Sequence, residues 1–262
     1  AGRCGRRGAR PGWGGVAGIT AAYLAQSGFA GPSKPYEGRY GVFRMHMGEN
    51  AERDFSPLTD SLGTHWELAA SAIKPYPTCH FTHAATDAAL VLRKQHQLRP
   101  DDIASVRVLI PQDTLPVVAE PAENKRQPRS DYDGKFSMHY ITAAALTRGY
   151  FGLAELEAEA LGDDDILQLA RRIECEADPD SRFPEFFSGG VEITTRDGQL
   201  LRHHEPVNRG AGDRALSHAE IEAKFVANTS MLLSCNDMEQ ARDHIMALTQ
   251  LSGRQFMAGL RM

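Results

Sequence analysis

The stretch of this chain richest in reactive side chains is 74–87, Lys-Pro-Tyr-Pro-Thr-Cys-His-Phe-Thr-His-Ala-Ala-Thr-Asp. Lys74 precedes two prolines spaced two apart, which hold the chain extended and forbid helix there. Thr78 can then cap a helix running from about 79 to 96. The first N–H groups of such a helix, from Cys79, His80 and Phe81, have no partner within it and make an anion site. With Lys74, His80 and His83 close by, they suit a carboxylate substrate. The competing description is a capped core helix with surface histidines. His80, His83 and Asp87 have the spacing of a metal ligand pair. No His-Glu-x-x-His motif and no cysteine cluster completes a shell, so no metal is expected. A thiol at a helix start, such as that of Cys79, is acidified and could be nucleophilic. No cysteine-hydrolase signature surrounds it, and a small buried residue is the expected role.

A second candidate lies at 135–140, Lys-Phe-Ser-Met-His-Tyr. Tyr140 falls one turn into a helix, where its phenol could donate a proton to a leaving group or a carbanion. The alternative is a packed aromatic with a satisfied hydroxyl. His203 and His204 read as a solvated strand face, with His203 opposite Glu192. Phosphate-loop, dinucleotide and nucleophile-elbow motifs are absent from the sequence, so nothing in it suggests nucleotide binding or a serine hydrolase.

These residues need elements to hold them. Residues 16–28 read as a helix ending at Gly28. A helix from about 79 to 96 would bury Phe81, Ala84, Ala85, Ala88, Ala89 and Leu92, with His80, His83 and Asp87 on another face. The segment 136–149 is a further helix, stopped by Gly149. Residues 103–110 alternate as a strand with Ala104, Val106, Val108 and Ile110 on one side. Residues 172–177 alternate with Ile173, Cys175 and Ala177 inward. A hairpin over 190–204 turns at Asp197-Gly198, read as type I′. Two capping boxes, Ser217 with Glu220 and Asn236 with Glu239, open the last helices. Strands that are few and not regularly interleaved with helices favour an α+β fold, its sheet antiparallel with helices on one face.

Composition narrows the function. A hydrophobic fraction of 42% and a charged fraction of 24% over 262 residues are globular values. A net charge of −5 argues against nucleic acid as a partner. No apolar run is long enough for a membrane span. The four cysteines, at 4, 79, 175 and 235, are irregularly spaced, which fits a reducing, cytoplasmic setting. Of the 24 glycines, 11 lie in residues 1–41, and no acidic residue precedes Glu37. That opening is neither amphipathic nor serine-rich, so a truncated start is expected in preference to a targeting signal.

Four stretches together resemble the MmgE/PrpD family, which includes 2-methylcitrate dehydratase, cis-aconitate decarboxylase and iminodisuccinate epimerase. They are residues 11–32, 73–90, 133–149 and 196–225, in the family's order and spacing. The resemblance implies an all-helical domain discontinuous in sequence, here 11–72 and 207–262 and incomplete. Inserted in it is an α+β lid domain, 73–206, with a small, mainly antiparallel sheet. It implies a homodimer, no cofactor, no metal, and a small polycarboxylate bound between the domains. Lys74 matches the lysine of the family's Lys-Pro-Tyr/Phe-Pro turn, His83 the histidine of its Thr-His pair, and Tyr140 the tyrosine of its Phe-Ser-x-x-Tyr segment. These three are the implied catalytic residues, with Cys79, His80 and Arg7 as substrate-binding ones. Cys79 stands where the decarboxylase branch has a histidine, which argues against decarboxylation. Arg7 stands roughly where members have a lysine, before a His-x-Gly segment that here reads Arg10-Pro11-Gly12.

The implied activity is dehydration of a hydroxy-polycarboxylate such as 2-methylcitrate, by proton abstraction next to a carboxylate, as in propionate catabolism. An epimerase or isomerase needs the same abstraction without loss of a leaving group. A non-catalytic remnant is the alternative of another class. Family chains carry a long helical region before the segment matching 11–32. The 262 residues therefore read as the C-terminal part of such a chain, with little activity expected alone.

Overall fold

The computed structural model describes residues 6–48 and 54–260, with side chains from residue 12 onward. The chain divides into two units, Ala1–Trp66 and Glu67–Met262.

The first unit holds α1 (Arg6–Gln26), α2 (Val42–Met47) and a 3₁₀ turn at Ser56–Leu58. The first helix starts ten residues earlier than expected, so much of the Gly/Arg-rich opening is helical. It stops where the sequence places its end: the Phe29 N–H donates to the Leu24 carbonyl at 2.9 Å, and Gly28 has a φ of 89°. Among the described side chains, those of residues 12–36 are exposed, Trp13, Ile19 and Tyr23 included.

The second unit is built on a sheet of four strands: β1 (Ile103–Ile110), β2 (Ile173–Ala177), β3 (Gly189–Thr195) and β4 (Leu200–Glu205), in the order β2-β1-β3-β4. Two of its pairings, β1–β3 and β3–β4, are antiparallel, and β1–β2 is parallel. A parallel pair needs a long crossover. Here it runs through α4 (Leu115–Val118), α5 (Ala122–Arg126), α6 (Asp131–Gly134), α7 (Met138–Arg148), α8 (Ala158–Leu161) and α9 (Asp164–Ala170). The helix α3 (His83–His96) and α7 pack on one face, and α9 packs on α7. The fold class is α+β. The other sheet face is charged. Arg107 sits between Glu192 at 2.6 Å and Glu176 at 3.3 Å, and Arg202 reaches Glu192 at 3.0 Å.

The core follows from apolar spacing. Ala84, Ala85, Ala88, Ala89 and Leu92 of α3 are buried, as expected, but so are His83 and Asp87, because the helix is covered on nearly all sides. In β1, Val106, Val108 and Ile110 point inward while Ala104 is exposed and Ile103 buried. The inward pattern slips because the β1–β3 register shifts between Ile103 and Ser105.

The β3–β4 hairpin is one residue out of its expected register: Val191 faces His203, and Glu192 faces Arg202. A type I′ turn needs positive φ at both central residues. Here only Gly198 has it, at 89°. Its N–H donates to the Thr195 carbonyl at 3.0 Å, and Thr195 in turn pairs with Gln199. The turn thus has a three-residue loop in place of the expected two.

Three helices close the chain: α10 (His218–Thr229), α11 (Cys235–Met246) and α12 (Gly253–Gly259). Ser217 and Glu220 form the expected capping box. The second box does not form. Ser234 caps α11 by accepting from the Asp237 N–H, which leaves Asn236 inside the helix. No described helix is long and apolar enough to cross a membrane.

Candidate functional site

Residues 75–78 form a bend in place of the expected extended run, and a 3₁₀ turn at His80–Thr82 then leads into α3. Thr78 is therefore not the helix cap. Its hydroxyl shares a 2.9 Å hydrogen bond with that of Thr82, which donates onward to the Cys79 carbonyl at 2.8 Å. The expected cradle of N–H groups is altered too. The Cys79 N–H donates to the Lys135 carbonyl at 2.8 Å, so it is not available to an anion. Cys79 itself is half-buried against the core.

The bend turns the Thr78 carbonyl into a meeting point. Lys74 Nζ donates to it at 3.1 Å, and His83 Nε2 lies 3.4 Å from it. The His80 ring is 5.0 Å from that of His83, at 61°. The structure thus brings Lys74, His80 and His83 together.

Both imidazoles are held neutral. Burial pushes His83 down from 6.5 to about 3, and its neighbours His80, Lys74 and Lys224 push the same way. Burial and then Lys74 lower His80 as well. A neutral His80 accepts from Asn208 Nδ2 at 2.8 Å through Nε2, which places its proton on Nδ1. His83 is fully buried, and its Nδ1 has no hydrogen-bond partner.

Asp87 does not share a ligand set with the two histidines. It accepts from the Tyr76 hydroxyl at 2.5 Å and is paired to Arg209 at 2.8 Å. Among the described residues, no group of three or more His, Cys, Asp or Glu side chains is placed to hold a metal ion.

Tyr140 stands apart from the cluster. Its ring is fully buried, and its hydroxyl donates to the Glu155 carbonyl at 2.6 Å. Burial, then the charge of Glu155, raise the phenol well above its usual range. This is the packed aromatic of the two alternatives, and its proton is not presented to a ligand. The Arg7 side chain and Cys4 lie outside the described residues. His203 and His204 are half-buried and not merely solvated: His203 pairs with Glu205 at 2.8 Å, and His204 with the buried Asp178 at 2.9 Å.

Three contributors to the cluster come from far along the chain. Lys224, on α10, donates to the Lys74 carbonyl at 2.6 Å. Asn208 holds His80, and Arg209 holds Asp87. Lys224 had one signal in the sequence: it is one of only six lysines among 29 basic residues. Asn208 and Arg209 lie in a turn-like segment with no motif.

Residues 76–250 match the family model described as the MmgE/PrpD C-terminal domain. Cis-aconitate decarboxylase of Homo sapiens is 26% identical over 235 residues, which cover 85% of this chain and 46% of that protein. The mouse protein of the same name is 26% identical over 234 residues, 84% of this chain and 44% of its own. A cis-aconitate decarboxylase-like protein of Aspergillus oryzae is 22% identical over 239 residues, 88% of this chain and 49% of its own. The chain spans about half the length of these curated relatives.

Proposed function

The chain belongs to the MmgE/PrpD family, and from that premise we propose that it carries part of the site of a lyase acting on a small polycarboxylate. The observation that supports this most is the positive field around two neutral imidazoles. Lys74 and Lys224 both act on His83, and Lys74 acts on His80 as well. Such a field costs an empty site stability and is relieved when carboxylates arrive.

In this reading Lys74 and Lys224 hold carboxylates, and His83 takes the proton from the carbon next to one of them. Charge collects on that carbon and its carboxylate as the C–H bond breaks. The C–O bond to the hydroxyl then breaks, and the leaving hydroxide takes the proton held on His83 and departs as water, which returns the imidazole to its neutral form. A bound carboxylate raises the imidazole toward its ordinary range, where it is a competent base. Tyr140, with its hydroxyl engaged in the core, has no proton-transfer step. The favoured substrate is a hydroxy-polycarboxylate such as 2-methylcitrate. On the same reading residues 11–72 and 207–262 belong to one helical domain, and 73–206 to its lid.

A second reading, decarboxylation, is favoured by the names of the curated relatives. There a C–C bond to a carboxylate breaks, carbon dioxide leaves, and the remaining carbanion is protonated. The chemistry at the cations is shared, and the products differ. Proton NMR of reactions in deuterated water distinguishes them. Loss of water from 2-methylcitrate supports the first reading, and carbon dioxide released from cis-aconitate supports the second.

Calorimetry with tricarballylate, a non-reacting tricarboxylate, tests the cation site directly. Lys74→Ala and Lys224→Ala are each expected to weaken binding at least tenfold. Unchanged affinity in both, or no binding by the unaltered chain, defeats the proposal.

Binding is also expected to take up protons. The free His83 sits near 3, and a bound anion raises it, so affinity grows as pH falls through the window between the free and bound values. Between pH 7 and 5.5, binding heats should depend on the ionisation enthalpy of the buffer. Buffer-independent heats would show that the imidazoles do not sense the ligand.

A further inference from the structure

We infer that Arg209 is a positioning residue: it sets the orientation of the His83 imidazole through Asp87 and Tyr76. The argument begins with what His83 lacks. Its Nδ1 has no partner, and its Nε2 is 3.4 Å from the Thr78 carbonyl, a long contact. Hydrogen bonds therefore leave the ring plane poorly determined. Packing must determine it, and two rings flank it. His80 lies on one side at 5.0 Å, and the edge-on Tyr76 ring lies at 5.4 Å and 86°.

Tyr76 is in turn aimed from both ends. Pro75 and Pro77 restrict its backbone. Its hydroxyl donates to Asp87 Oδ1 at 2.5 Å. Asp87 is buried on α3, one turn beyond His83. Both its oxygens are gripped by Arg209: Nε is 3.1 Å from each, and Nη2 is 2.8 Å from Oδ1. The same guanidinium reaches the Tyr76 hydroxyl at 3.4 Å and Glu220 Oε1 at 2.7 Å. Glu220 lies one turn before Lys224 on α10. Arg209 thus ties the ring that orients His83 to the helix that carries Lys224.

A planar fork makes this network, and an ammonium cannot reproduce it. Arg209→Lys keeps the charge and loses the fork, and Tyr76→Phe keeps the ring and loses the tether. Both are read by ¹⁵N-correlated NMR of the histidine rings, by thermal melting and by tricarballylate affinity. The His83 resonances are expected to shift or broaden in both variants. Tricarballylate binding should fall about five- to tenfold. Arg107→Lys, on the far face of the sheet, should leave His83 where it is.

Unchanged His83 signals in both folded variants overturn the inference, as does an equal change in Arg107→Lys. Should the two variants fail to fold, Glu220→Gln, at the exposed end of the network, is read in the same way: a His83 shift supports the inference and its absence overturns it. The affinity measurement rests on the proposed polycarboxylate site. The ring signals do not, so an unaltered chain that ignores tricarballylate but passes the NMR test defeats only the proposed function.

Discussion

Gly189→Ala is expected to destabilise the protein by about 3 kcal/mol, at the upper end of what overpacking costs. Gly189 opens β3 directly beneath α3. A Cβ there would lie 2.2 Å from the Ala85 nitrogen and 2.7 Å from the Ala84 carbonyl carbon. Those are main-chain atoms of a buried helix and cannot turn aside as a side chain can. Either α3 lifts off the sheet or the strand shifts its register. Gly190→Ala provides an internal comparison. Its Cβ would meet the His204 ring at 3.0 Å and the Leu109 side chain at 3.3–3.4 Å, contacts that can yield. Urea unfolding of the two variants measures both. A Gly189→Ala cost below about 1 kcal/mol, or one no larger than that of Gly190→Ala, means the helix and sheet are not as tightly apposed as described. Because His83 lies two residues before Ala85, the same substitution should disturb the lysine–histidine cluster.

Acid is the second large lever. His83 and His139 are both buried and neutral, with values near 3 and 4 against an ordinary 6.5. Burial is the main cause for each, reinforced at His83 by His80 and Lys74 and at His139 by Arg126 and Lys125. The folded protein thus binds fewer protons than the unfolded chain between pH 6.5 and about 4. Stability rises with pH across that window and is lost as pH falls through it. Two such groups give a slope of up to about 2.7 kcal/mol per pH unit. Asp178 and Glu205 act lower down with the same sign. Burial opposes ionisation of each, but the bonds from Ser188 and His204 to the one, and from His203 and Arg214 to the other, hold both below their usual values. Their contribution disappears as pH falls through those lowered values. Urea midpoints measured from pH 7 to pH 4.5 should drop steeply, and His139→Gln should reduce the slope by about half. A flat profile would mean that the two imidazoles are not buried in the neutral form.

The parts of the fold readable from the sequence were those set by neighbours in the chain. The apolar spacing in 84–92 and the alternation in 173–177 appear as a buried helix face and a strand. Gly149, with a φ of 80°, and the Ser217–Glu220 box mark helix ends where local chemistry demands them. What escaped depends on partners remote in sequence. Ala104 faces outward because it is the extra residue of a bulge, with Ile103 and Ser105 pairing to the consecutive Thr195 and Thr194 of β3, a pairing that nothing local to β1 announces. The Tyr140 hydroxyl donates a hydrogen bond to a carbonyl fifteen residues away, which no local pattern announces. Asn208, Arg209 and Lys224 join the cluster across more than 120 residues of chain. Lys74, His80 and His83 were recognisable because one short proline-ruled segment carries all three.

That segment has an evolutionary corollary. Lys74 and His83 converge on a carbonyl oxygen, and no codon change can delete a carbonyl oxygen. Residue 78 therefore serves the two side chains through its main chain, while its own buried side chain is held separately by Thr82, and Pro75 and Pro77 restrict the backbone that carries that carbonyl. Selection on this cluster should be felt less at the atom where the two side chains meet than at the two flanking imino acids, which touch neither of them through a polar group.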